Sequence, residues 1–167
     1  MKAIVVYESY WGNTAAVARA IAEGLGPEAR ALSTTEATSA IIAGADLIVA
    51  GSPVIAFSLP NEKMRESIRA NPGKAPTPPD LSHPSLQSWL DGLPKGHGRA
   101  AAFETRVKLS PGGATSKIVR ALEAAGYSLV AEPQRFIVKG KFGPMRDGEL
   151  DRARQWGVDL AKAMERS

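Results

Sequence analysis

The sequence predicts an α/β domain of the doubly wound kind, a five-stranded parallel sheet with helices on both faces. Two observations lead there. Short, almost wholly apolar runs such as Lys2–Tyr7 and Asp46–Ala50 read as strands covered on both sides. They alternate with stretches of helical period, for example Val17, Ile21 and Leu25 at i, i+4 and i+8. Strand–helix alternation packs as a parallel sheet with right-handed crossovers. At 167 residues the chain is expected to form one domain, 1–167, with a sizeable core.

The elements are justified in order. Lys2–Tyr7 is the first strand, and Thr14–Leu25 the first helix, stopped by Gly24-Leu25-Gly26-Pro27. Glu28–Leu32 reads as a weak strand and Thr38–Ala43 as a short helix. Asp46–Ala50 is a strong strand closing on Gly51-Ser52-Pro53. Asn61–Asn71 has helical character, with Met64 and Ile68 at i, i+4, and Ser85–Leu93 places Leu86, Trp89, Leu90 and Leu93 on one face. Arg99–Phe103 is the fourth strand. Gly113–Ala125 is a helix with Ile118, Ala121, Leu122 and Ala125 facing inward. Tyr127–Val138 is a fifth strand, broken or bulged at Pro133. Glu149–Met164 closes the domain with an inward stripe of Leu150, Ala153, Gly157, Leu160, Ala161 and Met164.

Composition narrows the function classes. With 44% hydrophobic and 23% charged residues the chain is an ordinary globular sequence. No apolar stretch approaches the roughly 20 residues of a membrane helix, and no secretory leader is read at the start, so neither membrane insertion nor export is expected. There is no cysteine, which excludes disulfides, thiolate metal sites and cysteine nucleophiles and fits a cytoplasmic protein. The net charge of +4 includes no basic block interleaved with aromatics, so no nucleic-acid partner is expected. His83 and His97 lack a partner at metal-ligand spacing and read as turn residues. No Ser-His-Asp set, Walker loop or Gly-x-Gly-x-x-Gly run competes.

The chemistry concentrates in Glu8–Thr14, the loop from the first strand into the first helix. A helix amino terminus exposes unpaired N–H groups and the positive end of the dipole. Gly12 lets the backbone approach a ligand, Ser9 and Thr14 offer hydroxyls, and Asn13 an amide, a set suited to a dianionic phosphate without Lys or Arg. The plainer alternative is that Asn13 or Thr14 is an N-cap worth about 1 kcal/mol.

"Tyr7-Glu8-Ser9-Tyr10-Trp11-Gly12-Asn13-Thr14" resembles the phosphate loop of the flavodoxin family, which binds FMN through a hydroxyl-x-x-Gly-Asn-Thr loop after the first strand. "AGSPVIAFSLP" after the third strand is similar to the loop covering one flavin face, and "AAFETRVKLSPGGA" after the fourth to the loop on the other side. The resemblance implies the strand order 2-1-3-4-5. It further implies FMN held by Ser9, Tyr10, Trp11, Gly12, Asn13 and Thr14, then by Ser52, Pro53, Val54 and Phe57, and by Glu104, Thr105, Arg106, Gly112 and Gly113. No catalytic acid–base residue and no metal ligand are expected, since the cofactor carries the chemistry.

Three departures stand out. The chain is basic where electron-carrying flavodoxins tend to be acidic, and Arg106 and Lys108 are expected to raise the flavin potential. Phe57 is the best aromatic candidate to cover the ring, Phe103 reading as strand-buried. A Pro-rich segment at about 61–84 reads as an insertion on the cofactor side, where Lys63 and Arg65 would meet an anionic substrate or acidic partner. Deleting Lys63–Asp80 is expected to leave a folded, yellow protein. Trp11 either contacts the phosphate or ribitol or packs on the first helix, Trp89 and Trp156 read as packing residues, and Glu104 either bonds the flavin or pairs with Arg106. The resemblance implies electron transfer between redox partner proteins. The alternative is an FMN-dependent oxidoreductase reducing a small-molecule acceptor such as a quinone or tetrapyrrole with NAD(P)H. A flavodoxin-like fold without flavin is a third class.

Overall fold

The computed structural model describes residues 1–167. Its centre is three parallel strands, β1 (Ala3–Tyr7), β3 (Leu47–Pro53) and β4 (Arg99–Val107), with Val5 opposite Val49 and Val49 opposite Ala101. The short β2 (Arg30–Ser33) lies outside β1, giving the order β2-β1-β3-β4-β5. The far edge is one strand in two pieces, β5 (Ser128–Leu129) and β6 (Gln134–Val138), both parallel to β4. The break falls at Val130–Pro133, where proline has no N–H for the ladder.

One face is covered by α1 (Asn13–Leu25) and α6 (Glu149–Glu165), which close over Val5, Val49, Phe103 and Phe136. These two helices touch backbone to backbone. A Cβ on Gly24 would lie 1.9 Å from the Arg154 carbonyl oxygen, and one on Gly157 2.2 Å from that of Ile21. The other face carries α2 (Ser39–Ile42), α4 (Leu86–Asp91) and α5 (Thr115–Ala124), whose Ile42, Leu86, Leu90, Ile118 and Leu122 cover Ile4, Val6 and Ile48. Between β3 and α4, α3 (Glu62–Ala70) is capped by the Asn61 side chain, which accepts from the Met64 N–H at 2.9 Å. Arg65 is the only residue α3 buries.

Two strands run further than expected. β3 continues through Gly51, Ser52 and Pro53 in register with Phe103, Glu104 and Thr105, and β4 runs on through Arg106 and Val107 because these pair with Ile137 and Val138 of β6. Gly51 permits this: any Cβ there would fall 2.1 Å from the Phe103 ring. The expected inward stripe of α6 is corrected at Leu150, which is 37% exposed. Trp156 takes the buried position and packs on Phe136 at 6.1 Å between ring centroids. Trp89 packs against the α4–α5 side of the core and donates its indole N–H to the Ala37 carbonyl at 2.8 Å. No helix is long and apolar enough to cross a membrane.

Candidate functional site

β1 delivers the chain to the carboxyl edge of the sheet, where ligands of doubly wound folds bind. Gly12 takes a left-handed conformation, φ 91°, which lets the chain turn directly into α1. The backbone N–H groups of Ser9, Tyr10, Trp11 and Gly12 donate to nothing in the chain, and the first bond of the helix runs from Ala16 to the Gly12 carbonyl. The N–H groups of Asn13 and Thr14 precede that bond. Neither side chain caps the helix, so the plain N-cap alternative does not apply to Asn13 or Thr14. The Ser9 hydroxyl accepts from the Ala15 N–H at 3.2 Å, and the buried Thr14 hydroxyl meets that of Thr105 on β4 at 2.8 Å. The result is a row of free donors at a positive helix end.

A cavity of about 80 Å³ lies against this row. Of the residues singled out from the sequence, Ser9, Tyr10, Trp11, Asn13, Thr14, Pro53, Val54, Thr105 and Arg106 line it. Ile55 and Val107, which lie in the two flavin-flanking stretches without having been singled out, and Val138 and Lys141, which lie outside every motif, line it too. Gly12, Ser52, Phe57, Glu104, Gly112 and Gly113 do not. Ser52 is wholly buried with its hydroxyl donating to the Pro53 carbonyl at 2.9 Å. A far larger cavity, about 1000 Å³, opens at the amino ends of the strands around Asp46, Arg99 and Tyr127. The smaller one is the better candidate, because Ser9, Tyr10 and Trp11, three of the four residues with unpartnered N–H groups, line it.

Glu104 and Arg106 moor the loop after β4. Glu104 is fully buried, accepts from the Arg106 guanidinium at 2.7 Å, and takes the Ala114 and Thr115 N–H groups at 2.9 and 3.1 Å with its other oxygen. Arg106 also donates to the Gly112 carbonyl at 2.7 Å. Of the two roles read for Glu104, pairing with Arg106 is the one observed. Arg106 is therefore a neutralised cation, which removes it from the expected charge effect and leaves only the exposed Lys108. The loop after β3 reverses through Ala56 and Phe57 at φ 46° and 66°, and the Phe57 carbonyl accepts from the Gly113 N–H at 3.0 Å. The two loops thus hold each other. Phe57 presents its ring outward, 60% exposed, while Phe103 is buried.

The third component is the stretch after α3. Arg65 is buried and bound to Glu8 at 2.9 Å, so it is not free to meet an anionic partner; Lys63 remains exposed. Arg65 also donates to the carbonyls of Leu81 and His83 at 3.1 and 2.5 Å. The Pro-rich residues run alongside the first loop, with the Asp80 N–H on the Tyr10 carbonyl at 2.8 Å and the Trp11 indole N–H on that of Thr77 at 3.2 Å. Trp11 meets the Phe142 ring edge-on at 4.8 Å, so besides lining the cavity it packs on this Pro-rich strap and on the turn that carries Phe142. Excising Lys63–Asp80 would remove the Arg65 cation and strand buried Glu8, so that deletion is not neutral to folding. His83 bonds the Thr35 hydroxyl at 2.8 Å and His97 is exposed, and no set of three His, Cys, Asp or Glu side chains is placed to hold a metal ion.

No family model matches the sequence, and no curated protein matches it. Solved structures do. A flavodoxin from the domain Archaea superposes with a TM-score of 0.68 at 22% identity over 99% of each chain. The fold is that of the flavodoxins. A flavodoxin, WrbA-like protein from Agrobacterium tumefaciens gives a TM-score of 0.61 at 21% identity over 99% of this chain and 98% of that one. A flavodiiron core from Synechocystis gives 0.65 at 20% identity, with 99% of this chain covering 36% of that one. The flavodoxin strand order implied by the resemblance is the one observed.

Proposed function

We propose that this chain binds FMN, with the phosphate on the Ser9–Thr14 loop, and carries electrons between redox partner proteins. The observation that carries the reading is the row of N–H groups from Ser9 to Gly12, left without acceptors at the start of α1. A phosphate supplies the acceptors such a row lacks. Ser9, Asn13 and Thr14 would bind its oxygens, and Tyr10 and Trp11 would flank it. Ser52, Pro53, Val54 and Phe57 on one side and Thr105, Arg106, Gly112 and Gly113 on the other belong to the two loops that would border the ring. Bound there, FMN supplies one- and two-electron chemistry, and the protein supplies orientation and electrostatics.

The carrier reading is supported over a substrate-reducing enzyme by the site itself. The buried carboxylate beside it, Glu104, is committed to Arg106 and two backbone N–H groups and so is not available to a substrate as an acid or base. The cysteine-free composition supports a cytoplasmic location. The test is the absorption spectrum of the purified protein, with the released chromophore identified by mass. A yellow protein releasing FMN is expected. A colourless protein that takes up no FMN on titration would refute the reading, and rapid NAD(P)H-driven quinone turnover by the isolated chain would replace the carrier with the enzyme.

A further inference from the structure

Lys141 belongs to none of the sequence motifs, yet the fold brings it to the cavity. It sits in the turn after β6, which is closed by the Lys139 N–H on the Pro144 carbonyl at 2.9 Å and the Gly143 N–H on that of Gly140 at 3.1 Å. The turn is docked on the first loop at two points. Phe142 meets Trp11 at 4.8 Å, and Gly143 abuts Asn13 so closely that a Cβ there would fall 2.2 Å from the Asn13 side-chain oxygen. Lys141 therefore lines the same cavity as Ser9, Asn13 and Thr14, its ammonium 5.5 Å from the Phe142 ring centre.

The charge balance of the cavity is one-sided. No acidic side chain lines it. Its two cations differ: Arg106 is paired with Glu104 at 2.7 Å, whereas Lys141 has no carboxylate within ion-pair distance. The neighbouring Lys139 is paired with Asp147 at 3.2 Å. One free cation and a row of free N–H groups converge where no protein anion answers them.

We infer that Lys141 is a specificity-determining residue, supplying charge to the phosphate of the bound flavin and so discriminating phosphorylated from unphosphorylated flavin. This rests on the FMN reading above and adds to it a residue outside the phosphate loop. A helix terminus and neutral side chains bind a dianion through dipoles, which salt screens little at contact range; a solvated ammonium acts as a point charge and is screened. The phosphate contribution in this chain should therefore fall with ionic strength.

The test titrates apo-protein with FMN and with riboflavin, by quenching of flavin fluorescence, at low and high sodium chloride. Wild type, Lys141→Met, Lys141→Arg and Lys139→Met are compared, with circular dichroism as the check on folding. Lys141→Met is expected to lose about fivefold in FMN affinity at low salt, the scale of one partly solvated charge pair. Riboflavin affinity should hold, the salt dependence should flatten, Lys141→Arg should recover most of the loss, and Lys139→Met should match wild type. An unchanged ratio of FMN to riboflavin affinity in Lys141→Met overturns the inference. So does an equal loss for both flavins, which would make the residue structural, or an equal effect of Lys139→Met, which would make it a general field. A wild-type protein that binds neither flavin refutes the FMN reading itself and takes this one with it.

Discussion

Glu8 and Arg65, 57 positions apart in the sequence, meet at 2.9 Å in the interior with their side chains 2% and 5% exposed. The pair is fully hydrogen-bonded on the carboxylate side: one Glu8 oxygen takes the Leu86 N–H at 2.9 Å, the other the Tyr10 hydroxyl at 2.5 Å as well as Arg65. Burial pushes the Tyr10 phenol far above its ordinary pKa, and the adjacent Glu8 charge adds to the shift. One ion pair thus ties together the end of β1, the start of α4, α3 and the strap beside the first loop.

Removing the cation alone leaves a buried charge. Arg65→Met is expected to cost about 3–5 kcal/mol of stability, measured by urea unfolding. Pairing it with Glu8→Gln should recover part of that loss, since the uncompensated charge then disappears. Protease should cut sooner between Pro72 and Pro84 in the single variant, because Arg65 no longer holds the Leu81 and His83 carbonyls.

If the Ser9–Thr14 loop holds the FMN phosphate as proposed, Asn13→Ala and Thr14→Ala should each weaken FMN by about 1.5–3 kcal/mol, the scale of a hydrogen bond to a charged group. Thr14→Ala also strands the Thr105 hydroxyl, which it meets at 2.8 Å, so it should lower the melting temperature of the apo-protein as well. Titration with FMN and a melt without it separate the two effects.

Acid should act through Glu149. It is buried in the first turn of α6 and accepts from the Ile137 N–H at 2.7 Å and from Arg152 at 2.9 Å. Burial alone would raise its pKa, but the Arg152 bond, then the Ile137 N–H, hold it below the ordinary value. A depressed folded-state pKa stabilises the protein above the unfolded value of about 4.3, and the contribution is lost as pH falls through the folded-state pKa. Wild type should lose stability below about pH 4 more steeply than Glu149→Gln, which should be weaker at neutral pH. Parallel curves for the two proteins in urea unfolding against pH would sink this.

Gly157→Ala drives a methyl into the Ile21 carbonyl oxygen, 2.2 Å away on rigid backbone. Overpacking of this kind costs about 1–3 kcal/mol. For a domain of this size that lowers the melting temperature by roughly 2–12 °C, readable by calorimetry.

The fold was legible because it rests on local pattern, apolar runs and helical spacing, and the hydroxyl–glycine–amide loop at one strand end marked the residues whose N–H groups stay unpartnered. The extents of β3 and β4 were not, since Gly51, Ser52 and Glu104 stay in strand through pairing with each other and through the room Gly51 leaves for Phe103. Arg65 read as a solvated cation because its partner, Glu8, is assigned by the fold rather than by helical spacing, whereas the Glu104–Arg106 pair, two residues apart on one strand, was already one of the two readings of Glu104. Leu150 matched the helical period yet faces solvent, since the period fixes a stripe but not where the stripe's edge leaves the sheet. Lys141 carried no signal beyond the turn-forming Gly140 and Gly143-Pro144 around it.

The contact of Gly24 and Gly157 has a consequence for how the protein is made. The helix that follows the first loop is synthesised well before α6, the helix it packs on. At about 5–20 residues per second, Val17, Ile21 and Leu25 wait roughly 7–30 s after leaving the peptidyl-transferase centre before Trp156 and Leu160 are even polymerised. Throughout that interval the nascent chain exposes a greasy stripe with no lid, a natural substrate for ribosome-associated chaperones. A loop hung from an unanchored helix is not yet shaped to hold a ligand, so any binding there waits until α6 is in place.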